Sequence, residues 1–276
     1  MTNNANDTLE SNEQKATTGA DTQPAINTDS LTKTYSETTA VDGLDLTVER
    51  GAVYGFLGPN GAGKTTTIRM LTGLLPPTSG TGRVAGTSIT DREALIKHIG
   101  YLPESPPIHE EFTAREQLEY HGGLRNMTPA AINDRIETLL ARFELAGVAD
   151  ERIATYSKGM RQKTGLIQAI MHDPDVVFLD EPTSGLDPRA ARTVRETITN
   201  LAAADTTVFL STHLLPVVEE IATNVGILSD GDLVADGPPG ELTAYGEIDG
   251  ERTLEEVFLE VTTEDEHPAD ESPHSK

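Results

Sequence analysis

The sequence predicts an α/β fold in which a mainly parallel sheet alternates with helices. Two strand-length apolar runs, Val53 to Leu57 and Val176 to Leu179, have the unbroken hydrophobicity of strands buried on both faces. Helical periods fill the chain between and after them, and strand patterns return at Thr207 to Leu210 and Val225 to Leu228.

Taken in order, residues 1–28 are rich in Asn, Thr, Asp and Glu with little to bury, and are expected to form a disordered acidic tail. Leu31 to Val48 alternates, with Val41, Leu44, Leu46 and Val48 in phase, which predicts antiparallel strands. Val53 to Leu57 then feeds a glycine-rich turn and a helix running to about Leu75, where Pro76 and Pro77 would stop it. Gly80 to Ile89 reads as a turn and a short strand. From residue 106 to about 156 the period is helical, as at Ala114 to Tyr120 and Ala130 to Phe143, which predicts an inserted α-helical subdomain. Further on, Asp187 can cap a helix whose first position suits Pro188 and which continues from Arg189 to Ala203. Gly231 to Asp236 suggests a small hairpin arm, Pro239 to Ala244 and Thr253 to Val261 two last helices, and 263–276 a second loose acidic tail. Residues 29–262 are therefore the folded domain.

The turn after the first strand reads Gly58, Pro59, Asn60, Gly61, Ala62, Gly63, Lys64, Thr65. A strand ending in such a turn and leading into a helix can aim consecutive backbone N–H groups, and the positive helix end, at phosphate oxygens. This is the core of a P-loop NTPase. Lys64 is placed to reach the β- and γ-phosphates, the Thr65 hydroxyl to ligate Mg²⁺, and Thr66 to bond a phosphate nearer the ribose. A glycine-rich surface turn is the bland alternative, and the flanking strand and helix count against it.

More than a hundred residues later, Asp180 and Glu181 fall where the second apolar strand leaves the sheet. Asp180 can hold the shell of a Mg²⁺ ion, which dehydrates reluctantly, and Glu181 can accept a proton from an attacking water. Between these motifs Tyr156 to Lys163 contains a serine-capped helix start, with Ser157, Lys158 and Gly159 at its head. Downstream come Ser184, Gly185, Leu186 and Asp187, then Ser211, Thr212 and His213.

Five motifs in this order resemble the ATP-binding cassette family, specifically the nucleotide-binding subunit of a transporter, from about Leu31 to Val261. The resemblance implies that Tyr35 stacks on adenine, that Ser157 and Gly159 contact the γ-phosphate held by a partner subunit, that Asp187 communicates across the dimer, and that His213 is the switch histidine. Two copies, or this chain and a paralogue, would pair head to tail and sandwich two ATP molecules. His213 would donate to the γ-phosphate or hold the attacking water beside Glu181. The helical subdomain and the Glu104 loop would grip the cytoplasmic helices of separate integral-membrane permease subunits.

Two positions depart from the family pattern. Lys158 stands where the signature usually has glycine, and either adds charge near the partner's phosphates or faces water. Glu104 stands where glutamine is usual; it can still meet Mg²⁺ or its water but cannot donate an amide hydrogen bond.

Composition narrows the function further. The chain has 276 residues, no cysteine, and 45 acids against 21 bases, a net charge of −24. Without cysteine there are no disulfides or thiolate metal sites, which suits the cytoplasm. No apolar run approaches the roughly 20 residues needed to span a bilayer. Residues 1–30 lack the pattern of a signal peptide. The membrane part is thus expected on another polypeptide, with this chain peripheral on the cytoplasmic face of the membrane. Residues 31–262 hold 35 acids and 19 bases, so the excess lies in the folded body. Such a surface repels nucleic acid and anionic lipid, and argues against a nucleic-acid ATPase. At about 1 M salt the Debye length falls near 3 Å and repulsion of ATP fades, which points to a halophilic, archaeal-type host. The function expected is the ATP-binding and hydrolysing subunit of a membrane exporter. A regulatory clamp that dimerises on ATP is the alternative, and a soluble rather than a multi-span partner would distinguish it.

Overall fold

The computed structural model describes residues 23–244 and 252–263. The chain begins with β1 (Ile26–Tyr35), β2 (Thr38–Leu44) and β3 (Thr47–Val48), then β4 (Val53–Leu57) and helix α1 (Lys64–Leu71). Strands β5 (Ser79–Val84) and β6 (Thr87–Ser88), the one-turn α2 (Arg92–Leu95) and β7 (Ile99–Leu102) follow. Helices α3 (Ala114–Leu124), α4 (Pro129–Arg142) and α5 (Lys158–Ile170) come next in succession. The alternating part is β8 (Val176–Asp180), α6 (Pro188–Ala203), β9 (Thr207–Thr212), α7 (Leu215–Ile221) and β10 (Asn224–Ser229). It ends with β11 (Asp232–Gly237), α8 (Pro239–Ala244) and α9 (Leu254–Thr263).

Two sheets result. The smaller is antiparallel, ordered β2-β1-β5-β6 with β3 paired to β1. The larger runs β11-β10-β4-β9-β8-β7, parallel throughout except for the β10–β11 hairpin at one edge. The mainly parallel core, the N-terminal antiparallel strands and the helical insertion are therefore as expected.

Period-2 alternation sorts the parallel strands between two cores. Tyr54 and Phe56 of β4, Phe178 of β8 and Phe209 of β9 face the small sheet and α1, where they meet Ile26, Leu31, Val41 and Val84. Phe209 is the hub, with ring centroids of Tyr54, Phe56 and Phe178 at 5.4, 5.1 and 5.6 Å. The opposite phase, Val53, Val177, Leu179, Val208 and Leu210, joins Leu118, Ile136, Phe143, Leu166 and Ile167 of the helices. Two core walls thus clamp the strands from both sides, which fixes where their C-terminal ends emerge.

The helices begin where local chemistry dictates. Thr113 and Glu116 form a reciprocal capping box on α3, Thr128 caps α4 ahead of Pro129, and Asp187 caps α6 ahead of Pro188. Close approach of α5 to β7 depends on Gly100, where a Cβ would lie 2.1 Å from the Ala169 carbonyl oxygen.

Two boundaries and one short helix differ from expectation. Strand β1 starts at Ile26, inside the stretch read as tail, because Ala25 and Ile26 are buried against Val48 and Val84. Helix α1 stops at Leu71 rather than near Leu75: Gly73 turns left-handed at φ +66° and the Leu74 amide bonds back to the Arg69 carbonyl. The four-residue α2, capped by Asp91, was not read from the sequence. Residues 1–22 and 264–276, which hold most of both expected acidic tails, lie outside the described residues.

Candidate nucleotide site

The C-terminal ends of β4, β8 and β9 lie side by side, since the parallel register sets Leu57 against Thr212 and Asp180 against Ser211. A cleft of about 290 Å³ opens there, lined by Asn60, Gly61, Gly63, Lys64, Thr65, Thr66, Glu104, Asp180, Glu181 and His213, with Ala40 and Ser184 added.

The loop after β4 needs its glycines. Gly61 and Gly63 have φ of +90° and +107°, and a Cβ on Gly63 would lie 2.3 Å from the Ala40 carbonyl. At Gly58 a Cβ would press to 2.4 Å of the Leu228 carbonyl, so β10 closes the loop from behind. Ala62 is buried, and its carbonyl accepts from the Gly231 amide at 3.1 Å. Lys64 Nζ donates to the carbonyls of Gly58 and Pro59 at 2.7 and 3.0 Å, arching over the loop it belongs to. Burial lowers the pKa of this ammonium, and the Glu181 and Asp180 carboxylates oppose that shift. A buried lysine at the start of a helix that follows positive-φ glycines suits an anionic ligand.

Asp180 is buried at the end of β8 and accepts at both oxygens, from the Ser211 hydroxyl at 2.5 Å and the Thr65 hydroxyl at 3.0 Å. Among the described residues no group of three or more His, Cys, Asp or Glu side chains gathers as a metal cage. One carboxylate and one hydroxyl, with Glu104 on the cleft wall, instead fit Mg²⁺, which keeps waters and takes its remaining ligands from phosphate.

Glu181 takes φ +50°, a left-handed conformation that costs a non-glycine residue roughly 1–2 kcal/mol. The turn is held because its amide donates to the Ser211 carbonyl at 2.9 Å and its carbonyl accepts from the Ser184 amide at 3.1 Å. Its carboxylate is tethered twice: Thr212 Oγ1 donates to Oε2 at 3.1 Å, and His213 Nδ1 lies 2.8 Å from Oε1. Backbone strain that persists under such restraint is typical of a working site. Ser211 and Thr212 carry no sign of a role in the sequence itself. Only the β8–β9 register shows that they orient the two acids.

The other expected residues sit apart from the cleft. Tyr35 ends β1, 45% exposed, with Lys33 Nζ 5.3 Å from its ring centroid. Ser157 caps α5, accepting from the Met160 amide at 3.2 Å, and Gly159 packs beside Leu186 and Ala190. Asp187 accepts from the amides of Ala190 and Arg189, both at 3.0 Å, and these bonds hold its carboxyl below the usual range. Lys158 is exposed, and its side chain lies along Gly185, where a Cβ would come within 2.4 Å of Nζ. The serine turn and the Asp187 turn are thus packed together on one exposed face.

This fold and site define a phosphate-loop nucleoside triphosphatase. A family model described as "ABC transporter" matches residues 41–184. Over 224 residues the chain is 42% identical to the daunorubicin/doxorubicin resistance ATP-binding protein DrrA of Streptomyces peucetius, covering 80% of this chain and 68% of that one. It is 38% identical over 223 residues to the Nod factor export ATP-binding protein I of Paraburkholderia xenovorans, covering 80% and 73%. With the bacitracin transport ATP-binding protein BcrA of Bacillus licheniformis the figures are 37% over 218 residues, 77% and 69%. A solved ATP-binding subunit of an ABC transporter superposes with a TM-score of 0.80 at 29% identity, covering 86% of this chain and 99% of that one. A cassette solved with ADP and Pi shares the fold at a TM-score of 0.71 and 22% identity, covering 77% and 98%. The chain belongs to the ABC transporter family, as one of its ATP-binding ATPase subunits.

Proposed function

We propose that this ATPase powers an exporter, that it binds ATP with Mg²⁺, and that it works as a head-to-tail pair on the cytoplasmic face of a membrane whose spanning subunits are separate chains. The observation that carries the reading is the convergence of Lys64 and Thr65 with the Ser211–Asp180 and His213–Glu181 pairs at three adjacent strand ends. Export is supported by the three relatives, which are named for drug resistance, Nod factor export and bacitracin transport.

In this reading the loop amides and Lys64 bind the phosphates, and Thr66 bonds one nearer the ribose. Thr65 and Asp180 hold the metal, with Glu104 near it. The metal, when bound, neutralises charge developing between the β- and γ-phosphates. Glu181 takes a proton from the attacking water, and Thr212 and His213 aim it. Tyr35 stacks on the base. Ser157, Gly159 and Asp187 do not line the phosphate end of their own chain's cleft. They complete the cleft of a second copy or a paralogue, where a serine-capped helix start offers a further phosphate contact. Each nucleotide then bridges two incomplete surfaces, and hydrolysis removes the bridge. Closure moves the membrane subunits through α3, α4 and the Glu104 loop. Among the described residues no helix is long and apolar enough to cross a membrane.

The test is the Glu181→Gln variant with Mg·ATP. Retained binding, lost turnover and a stable dimer in light scattering are expected, and a variant that stays monomeric or turns over normally overturns the scheme. The acidic body supports a halophilic host, and stability and ATPase activity should peak in molar KCl; an optimum in dilute buffer removes that part.

A further inference from the structure

The hairpin at the edge of the large sheet turns through Asp230 and Gly231, between the paired Ser229 of β10 and Asp232 of β11. Both central residues take positive φ, +46° and +94°, as a two-residue hairpin turn of the primed type requires. The tip of such a turn ordinarily stands in water. Here Gly231 is buried, and its backbone is bonded on both sides. Its amide donates to the Ala62 carbonyl of the phosphate loop at 3.1 Å, and its carbonyl accepts from the Asp42 amide of β2 at 3.0 Å. The β1–β2 register steps from Val41 to Leu44 at this point, which leaves the Asp42 amide to Gly231.

The same junction is closely packed. A Cβ on Gly231 would lie 3.2 Å from the Ala40 carbonyl oxygen, and one on Gly63 would lie 2.3 Å from that oxygen. Ala40 lines the nucleotide cleft, just past Thr38, which pairs with Tyr35 at the end of β1. Gly231 therefore stands between two parts of the site with different tasks. On one side is the loop that offers amides and Lys64 to phosphate, and on the other the β1–β2 hairpin that carries the Tyr35 ring. These belong to different sheets, and two backbone hydrogen bonds in series through one residue fix their separation more tightly than side-chain packing does.

We infer that Gly231 is a positioning residue for the nucleotide: it holds the base platform and the phosphate loop at the spacing that one nucleoside triphosphate spans. The inference rests on the proposed role of Tyr35 as that platform, and adds the residue that keeps it in register with the loop. A ligand gains from the bridge only if it carries both a base and a polyphosphate. Tripolyphosphate, which has no base, binds through the loop and Lys64 and is indifferent to it.

Two variants break the bridge from opposite sides. Gly231→Ala strains the turn and presses a Cβ toward the Ala40 carbonyl, while Asp42→Pro removes the donating amide. Gly43→Ala, at φ +55° with nothing within 4 Å, is the control for backbone strain alone. Calorimetry of the full chain with Mg·ATP and with Mg·tripolyphosphate gives the ratio of the two affinities. Gly231→Ala and Asp42→Pro should each lower ATP affinity about tenfold and leave tripolyphosphate affinity within about twofold. KM for ATP should rise while kcat at saturation stays near the wild-type value, and Gly43→Ala should keep the wild-type ratio. Retained tripolyphosphate binding shows that a variant is folded at the loop. A ratio preserved in Gly231→Ala or Asp42→Pro, whether both affinities fall together or neither falls, overturns the inference, as does an equal drop in Gly43→Ala. Tyr35→Ala separates this from the reading beneath it. If that variant lowers the ratio and the two bridge variants do not, the inference alone falls; a ratio unmoved by Tyr35→Ala overturns the base platform and the inference with it.

Discussion

His213 Nδ1 stands 2.8 Å from Glu181 Oε1, while the neighbouring Thr212 hydroxyl holds Oε2 at 3.1 Å, so one strand end fixes both oxygens of the acid. If Glu181 is the base, His213→Ala and Thr212→Val each loosen its aim without removing it. Each should lower kcat by about 10- to 100-fold with little change in KM, less than the roughly 10²–10⁴-fold expected for losing a general base in Glu181→Gln. Steady-state ATPase assays check the order. A loss in His213→Ala as large as in Glu181→Gln, with Thr212→Val mild, would mean that the histidine does more than aim the acid.

Lys64 tests the cradle. Its ammonium now spans two carbonyls of its own loop, so Lys64→Ala removes a buried donor rather than a surface charge. ATP affinity by calorimetry should fall by at least tenfold, since hydrogen bonds to charged groups contribute about 1.5–3 kcal/mol. Thermal stability without nucleotide should change little by comparison.

Gly100 tests the packing that aims the Glu104 loop. With its Cβ position 2.1 Å from a backbone oxygen of α5, Gly100→Ala forces strand and helix apart and should cost about 2–3 kcal/mol in urea unfolding. Gly123→Ala on α3, where nothing lies within 4 Å, is the control and should stabilise by up to about 1 kcal/mol through helix propensity.

His121 and His172 predict an acid-sensitive fold. Burial, and then the charge of Arg125, lowers both imidazoles to about 4. In the unfolded chain they take up protons near the ordinary histidine value of about 6.5, so between these values the unfolded state binds more protons and stability rises with pH. Acidification from pH 6.5 toward 4 should therefore destabilise, with a slope from this pair of at most roughly 2.7 kcal/mol per pH unit. Urea midpoints measured across that range should be flatter for His121→Gln/His172→Gln than for the wild type.

How much of this was legible in the sequence depends on whether the signal is local. The phosphate loop, the apolar strands and the capped helices each carry their cause within a few residues, so Gly58 to Thr66, Asp180 and Glu181 could be read directly. What could not be read depends on pairing. Ser211 and Thr212 matter because β9 lies beside β8 in one register, and no nearby residue announces that. Gly73 ended α1 before the proline pair could, since a left-handed turn bonding back to the Arg69 carbonyl outcompeted a further helical turn.

Strand β4, which delivers the phosphate loop, lies inside the large sheet with β9 on one side and β10 on the other. Its amide protons are therefore shielded by neighbours on both flanks, and can trade with deuterium only when the whole sheet comes apart. Helices α3 and α4 keep their backbone hydrogen bonds to themselves and join that sheet through side chains such as Leu118 and Ile136. An exchange experiment should therefore find the β4 amides among the slowest in the molecule and those of α3 and α4 faster.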